Sequence, residues 1–195
     1  MPLGAFKAGM FGAAGGGSGE GGTFEWIAGI TVSGSSTSSI TFSSLDAATY
    51  TELFIRWSLL TGTTPDDVNM QINGNTSTEY FSNEWWTYNS SGNANANSNQ
   101  AHLRLVWAAS TSSGYASPMA GIINMSDVNA TNKHSVESLA YRSYDTYSGY
   151  GTFDYATTLL SPAAGSHAIS SVTLKRSTQN FTSGDTFQLF GAKSS

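Results

Sequence analysis

Val172-Thr-Leu-Lys-Arg-Ser-Thr-Gln-Asn-Phe-Thr-Ser-Gly-Asp-Thr-Phe-Gln-Leu-Phe-Gly191 is the stretch whose reading decides the fold. Val172 and Leu174 alternate with Thr173 and Lys175, and Phe187 and Leu189 alternate with Thr186 and Gln188. A period of two belongs to half-buried β-strands, whose successive side chains point to opposite faces. The two runs read as a pair of strands. The polar connection between them holds one aromatic, Phe181, which is expected to fold back and plug the end of a core. Gly184 suits a turn position with positive φ, and Gly191 is expected to let the chain leave the sheet.

Short strands of the same kind recur upstream. Residues 26–32 and 40–42 read as a hairpin across a Ser/Gly turn, and residues 45–49 as a helical turn or crossover. Residues 50–60 are apolar on both parities at several positions, which predicts a central strand covered on both faces. Val68, Met70 and Ile72 alternate with Asn69 and Gln71 ahead of an Asn73-Gly74 turn, extending the reading to a meander. Residues 79–88 are dense in aromatics, and residues 89–100 read as a low-complexity Asn/Ser/Ala/Gly loop. Leu103, Leu105 and Trp107 are placed inward, and residues 118–125 and 133–141 supply further strands. Roughly eight to ten short strands, polar turns every ~8–12 residues and hardly any helix predict an all-β, jelly-roll-like antiparallel β-sandwich.

The sandwich is assigned to residues 23–195. Residues 1–22 read as an anchoring arm: Leu3, Phe6, Met10 and Phe11 fall at i, i+3, i+7 and i+8, the spacing of one helical face, and a glycine-rich tether follows. Composition agrees with a β-protein. Hydrophobic residues make up 39% of the 195, enough for a core, whereas charged residues make up 11%, against ~25% in ordinary soluble domains. The surface is therefore built from Ser, Thr, Asn and Gly. A net charge of -5 with eight scattered Lys and Arg argues against nucleic acid as a partner. No apolar run of about 18 residues is present, so no membrane insertion by a helix is expected.

The closing motif, Asn180-Phe181-x-x-Gly184-x-x-Phe187-x-Leu189-Phe190-Gly191, resembles the end of a β-sandwich domain found in virion structural proteins of tailed bacteriophages, marine and cyanobacterial ones among them. The resemblance covers most of the chain from about Thr23. It implies a structural protein on the virion surface, assembled in the host cytoplasm and built as a homotrimer. The arm would fix it to other virion proteins, the tail or the major capsid protein. The function it implies is that of a short tail fibre or receptor-binding protein contacting host cell-surface glycan without catalysis. The alternative is a capsid decoration or cement protein that stabilises the head through the arm. The shared motif concerns folding and carries no contact residues across.

Candidate contacts come from the aromatics. Tyr and Trp among Ser, Gly and Asn make recognition surfaces of low entropic cost, and aromatic faces stack on sugars. Trp85, Trp86 and Tyr88 form one group, and Tyr144, Tyr147 and Tyr150 the other. Adjacent Trp85 and Trp86 cannot both point inward on a strand, so one is expected to face solvent or a partner. No cofactor and no metal site is predicted. His102, His134 and His167 share no ligand spacing, no Gly-x-Ser-x-Gly elbow occurs, and Asp66-Asp67 is the one pair that could offer hard oxygens to calcium. The chain does not read as an enzyme.

Overall fold

The structure, a computed structural model, describes residues 23–34, 36–60, 66–88, 91–106, 119–130, 134–143, 151–160 and 168–193, with backbone alone at 86–88, 91, 93, 141–143 and 151–160. These residues form twelve strands and no helix. The strands are β1 (Phe24–Thr31), β2 (Ser39–Phe42), β3 (Glu52–Leu59), β4 (Val68–Ile72), β5 (Tyr80–Tyr88) and β6 (Ser91–Gln100), followed by β7 (Leu103–Val106), β8 (Met119–Ser126), β9 (His134–Ser143), β10 (Gly151–Leu160), β11 (Val172–Arg176) and β12 (Thr186–Ala192).

They make two antiparallel sheets, an eight-stranded one in the order β1-β12-β3-β8-β9-β10-β5-β6 and a four-stranded one in the order β2-β11-β4-β7. A single core cluster draws on both sheets, so the chain is a β-sandwich. Leu53, Ile55, Trp57 and Leu59 of β3, Phe187 and Leu189 of β12, and Ile123 and Met125 of β8 supply one wall. Val68, Met70, Ile72, Val172 and Leu174 supply the other.

The pairing is nested. β1 pairs with β12, β2 with β11, β3 with β8 and β4 with β7. Two hairpins, β5–β6 and β9–β10, are set into that scheme and lie side by side through β10 and β5, which widens the large sheet by four strands.

This arrangement corrects several pairings expected from sequence. β1 and β2 do not form a hairpin, β3 and β4 do not continue a meander, and β11 and β12 do not pair, because the members of each couple lie in different sheets. Each connection carries the chain across the core, so a strand faces its sequence neighbour through side chains and hydrogen-bonds to a distant one. Asn73 and Gly74 do take positive φ, 52° and 66°, yet their turn leads from β4 into the other sheet.

The closing stretch shows how such a crossing is built. Phe181 is fully buried and meets Phe187 edge to face at 5.0 Å between ring centroids. Its backbone N–H donates to Thr37 O at 2.7 Å. Gly184 takes φ 96°, as expected, and the buried Asp185 carboxylate accepts from Leu60 N at 2.6 Å and Thr182 N at 2.8 Å. Gly191 does not mark an exit; it lies inside β12, where a Cβ would overlap the Tyr50 ring.

Two further expectations are corrected. β3 is central, but only one face is buried: Arg56 is exposed, and Phe54 is covered by the ring of Phe24, 5.1 Å away, instead of by a second layer. Of residues 89–100, expected as a loop, 91–100 form the strand β6, and 89 and 90 lie outside the described residues. There Asn93, Asn95 and Asn97 alternate with Ala94 and Ala96, a period of two written in residues of low strand propensity.

Candidate functional site

On β5 the alternation is explicit: Ser82 and Glu84 are buried, whereas Phe81, Asn83 and Trp85 are exposed on the outer face of the large sheet. Trp85 is 44% exposed and its indole lies along β6, with Nε1 3.4 Å and Cζ2 3.6 Å from where a Cβ on Gly92 would stand. A glycine there lets the ring lie flat on the sheet, leaving its other side outward. Register continues the feature sideways. Trp85 stands opposite Ala94 and Tyr155, Tyr155 opposite Leu139, and Leu139 opposite Ile122. Leu139 and Ile122 are exposed like Trp85, so the outer face carries a row with apolar side chains that ends at the exposed Arg56; Asn83, Ala96 and the exposed Glu137 stand in the neighbouring row, and Phe81 is exposed four residues along β5.

Beneath this face a polar clamp fixes the β5–β6 hairpin. Glu84 Oε1 accepts from Ser82 Oγ at 3.2 Å and Asn97 Nδ2 at 3.0 Å, and its Oε2 pairs with Arg104 Nη2 of β7. Asn95 Nδ2 donates to Asn97 Oδ1 at 3.0 Å, tying the edge strand to the same cluster. Three strands, two from one sheet and one from the other, therefore hold Trp85 on a rigid support.

Of the other residues expected to make contacts, Trp86 and Tyr88 lie on β5, opposite Asn93 and Ser91. Their side chains lie outside the described residues. Tyr144, Tyr147 and Tyr150 lie outside them altogether, as do Leu3, Phe6, Met10 and Phe11 of the arm.

Sequence reasoning missed a second aromatic cluster at the other end of the same sheet face. Trp26 is 61% exposed on β1, with Cζ2 3.4 Å from the position of a Cβ on Gly29, so it too lies over a glycine. Beside it Phe24 stacks on Phe190 at 5.4 Å. The signal was present: Phe54 and Phe190 each sit on the parity opposite to the core residues of their strands, which marks an outward apolar position.

Other described polar groups brace the fold. Asp66 Oδ2 pairs with Arg176 Nε at 3.2 Å, both side chains 2% exposed, and its carboxylate also accepts from Thr178 N and Gln179 N, each at 2.9 Å. The Asp66-Asp67 turn is thus a clamp on the loop after β11, and Asp67 lies 4.0 Å from Arg104. Burial, followed by the charges of Lys175 and Arg104, holds His102 below the ordinary imidazole range. His134 is buried with Nδ1 2.9 Å from Asp127 O. Among the described residues no three His, Asp or Glu side chains converge as metal ligands would. A cleft of about 320 Å³ opens between β1 and β2, lined by Ile27, Ile30, Phe42, Leu45 and Tyr50, and by Asp46, whose carboxylate is taken by Thr49 Oγ1 at 2.7 Å.

No family model, no curated protein and no solved structure matches this chain.

Proposed function

We propose that this protein is a structural component of a tailed-phage particle surface, a short tail fibre or receptor-binding protein that contacts host cell-surface glycan without catalysis. The observation that carries the reading is Trp85, a half-exposed indole lying flat over Gly92 and braced from below by the Glu84–Arg104 clamp. A flat aromatic face stacks on the C–H face of a sugar ring, and a neighbouring amide on the same face, Asn83, supplies hydrogen bonds without the desolvation cost of charges. The low charge content suits such a neutral surface. Within this reading we infer that the nested pairing is a jelly roll, with β5–β6 and β9–β10 as insertions into it.

The test uses host-surface polysaccharide in a binding assay with the purified chain. Trp85→Ala is expected to abolish binding while the thermal midpoint stays within about 2 °C, since truncating a half-exposed residue costs little stability. Binding that survives in this variant would remove Trp85 and the glycan reading with it. Gold-labelled antibody on purified virions gives the location. Label on the tail is expected, label over the head would favour a decoration role, and no label would end the virion assignment.

A further inference from the structure

Each sheet has two edges that carry no partner strand among the described residues: β1 and β6 in the large sheet, β2 and β7 in the small one. An open edge is a row of unpaired N–H and C=O groups, which proteins blunt with charges, prolines, bulges or brevity. Three of the four are blunted. β2 and β7 have four residues each, β7 is also broken by a register shift, and its Arg104 is ion-paired. β1 carries a bulge between Trp26 and Ala28 and the Glu25–Lys193 pair, 2.9 Å apart.

β6 has none of these devices along Ser91–Asn97, which runs in unbroken register with Tyr88–Ser82. Its only irregularity lies beyond, where the register slips opposite Tyr80 and Asn99 takes φ 56°. The ten residues Ser-Gly-Asn-Ala-Asn-Ala-Asn-Ser-Asn-Gln contain no charge and no proline. On a chain of net charge -5, this is an edge where two copies can meet without like-charge repulsion.

We propose that β6 pairs antiparallel with β6 of a second copy, joining two eight-stranded sheets into one across a two-fold axis. Pairing about Ala94 sets Asn93 opposite Asn95 and Gly92 opposite Ala96 of the second copy. An amide both donates and accepts, so Asn facing Asn is self-complementary, whereas most charged strands are not. The outer faces become continuous. The two Trp85 positions then lie three strand spacings apart, about 14 Å along the joined sheet. An isologous contact of this kind closes at two copies, in place of the threefold assembly expected from the resemblance. The proposal does not depend on the glycan reading.

Sedimentation of the purified full chain across a concentration series tests it. The wild type is expected as a dimer, twice the 20.5 kDa of one chain. Ala94→Lys and Ala94→Glu each place two like-charged side chains directly opposite one another at the centre of the pair, with their Cβ atoms roughly 5 Å apart, and each is expected to sediment as a monomer at low salt. Mixing the two variants is expected to restore the dimer, which shows that both are folded. A monomeric or trimeric wild type, a dimer indifferent to either substitution, or a mixture that stays monomeric would overturn the proposal.

Discussion

Gly121 on β8 faces the core directly opposite Trp57 of β3, and the large sheet closes correctly only because it has no side chain. A Cβ at this position would stand 2.5 Å from Trp57 Cζ2, 2.6 Å from Cε2 and 2.7 Å from the backbone oxygen of Leu139. Carbon atoms in contact sit ~3.5–4.0 Å apart, so the indole would have to retreat by about 1 Å. It cannot do so freely, because Trp57 is fully buried in a close-packed interior. The Leu139 oxygen belongs to the strand pairing β8 and cannot yield either. Overpacking of this kind costs about 3 kcal/mol, the upper end of the usual range. Alanine returns roughly 0.5–1 kcal/mol by stiffening the unfolded chain. The net is a loss of about 2 kcal/mol, which lowers the midpoint of a domain this size by roughly 4–8 °C. Thermal unfolding of Gly121→Ala reads this directly. Gly34→Ala is the control, since nothing lies within 4 Å of a Cβ there. In a Trp57→Phe background, which removes both offending ring atoms but leaves the Leu139 oxygen in place, the cost of Gly121→Ala is expected to fall in part, a coupling that a double-mutant cycle isolates. An equal cost in both backgrounds, or a Gly121→Ala midpoint matching that of Gly34→Ala, would refute the reasoning.

Asp66→Ala leaves Arg176 buried without its partner and strips the acceptors from Thr178 N and Gln179 N, an expected loss of about 3–5 kcal/mol in urea unfolding; a loss under ~1 kcal/mol would show that water replaces the carboxylate. Tyr50 donates to Glu25 Oε1 at 2.5 Å, and this bond, ahead of burial, pushes its phenol from 10.0 up to about 12. The folded form therefore holds its proton longer than the unfolded one, so this contribution to stability is complete below pH 10.0 and is lost as pH rises through about 12. Glu25→Gln is expected to return the tyrosinate absorbance titration toward its ordinary position, and an unmoved curve would sever the link.

Alternation carried most of what the sequence could reveal. Val172, Leu174, Phe187 and Leu189 are all fully buried, and Phe181 fills the core between them as read. Pairing was illegible for a physical reason. Alternation reports which side of a strand is dry, and turn residues report that the chain reverses, but neither reports whether it returns in the same sheet or in the facing one. Asn73-Gly74 has hairpin chemistry, yet Asn73 Oδ1 accepts from Ser170 N at 2.8 Å and Ser171 N at 3.0 Å, so its side chain binds the approach to β11. β6 escaped because periodicity was sought in apolar residues, whereas its alternation is between amides and alanines and its stability comes from the Glu84 clamp. For the candidate site, one outward tryptophan out of Trp85 and Trp86 followed from strand geometry alone. That Trp85 is exposed and lies over Gly92 depended on the β5–β6 register, which no local pattern encodes.

The nested pairing also explains why the outward aromatics sit where they do. First and last strands are neighbours, so the chain enters and leaves the large sheet at one edge, with Lys193 N donating to Thr23 O at 2.9 Å. The two inserted hairpins leave β3 and β12, which bury Trp57 and Phe187, paired with each other, and they lie on the far side of β8 from the β1 edge. Six strand spacings separate β1 from β5, about 29 Å along the sheet. A protein held by the segment preceding β1 would present Trp85 at the far end, on strands whose outer side chains have no part in the core. Substitutions along the outer face of β5 and β6 should therefore alter binding while leaving stability nearly unchanged, and substitutions at Glu84 or Arg104 should reduce both together.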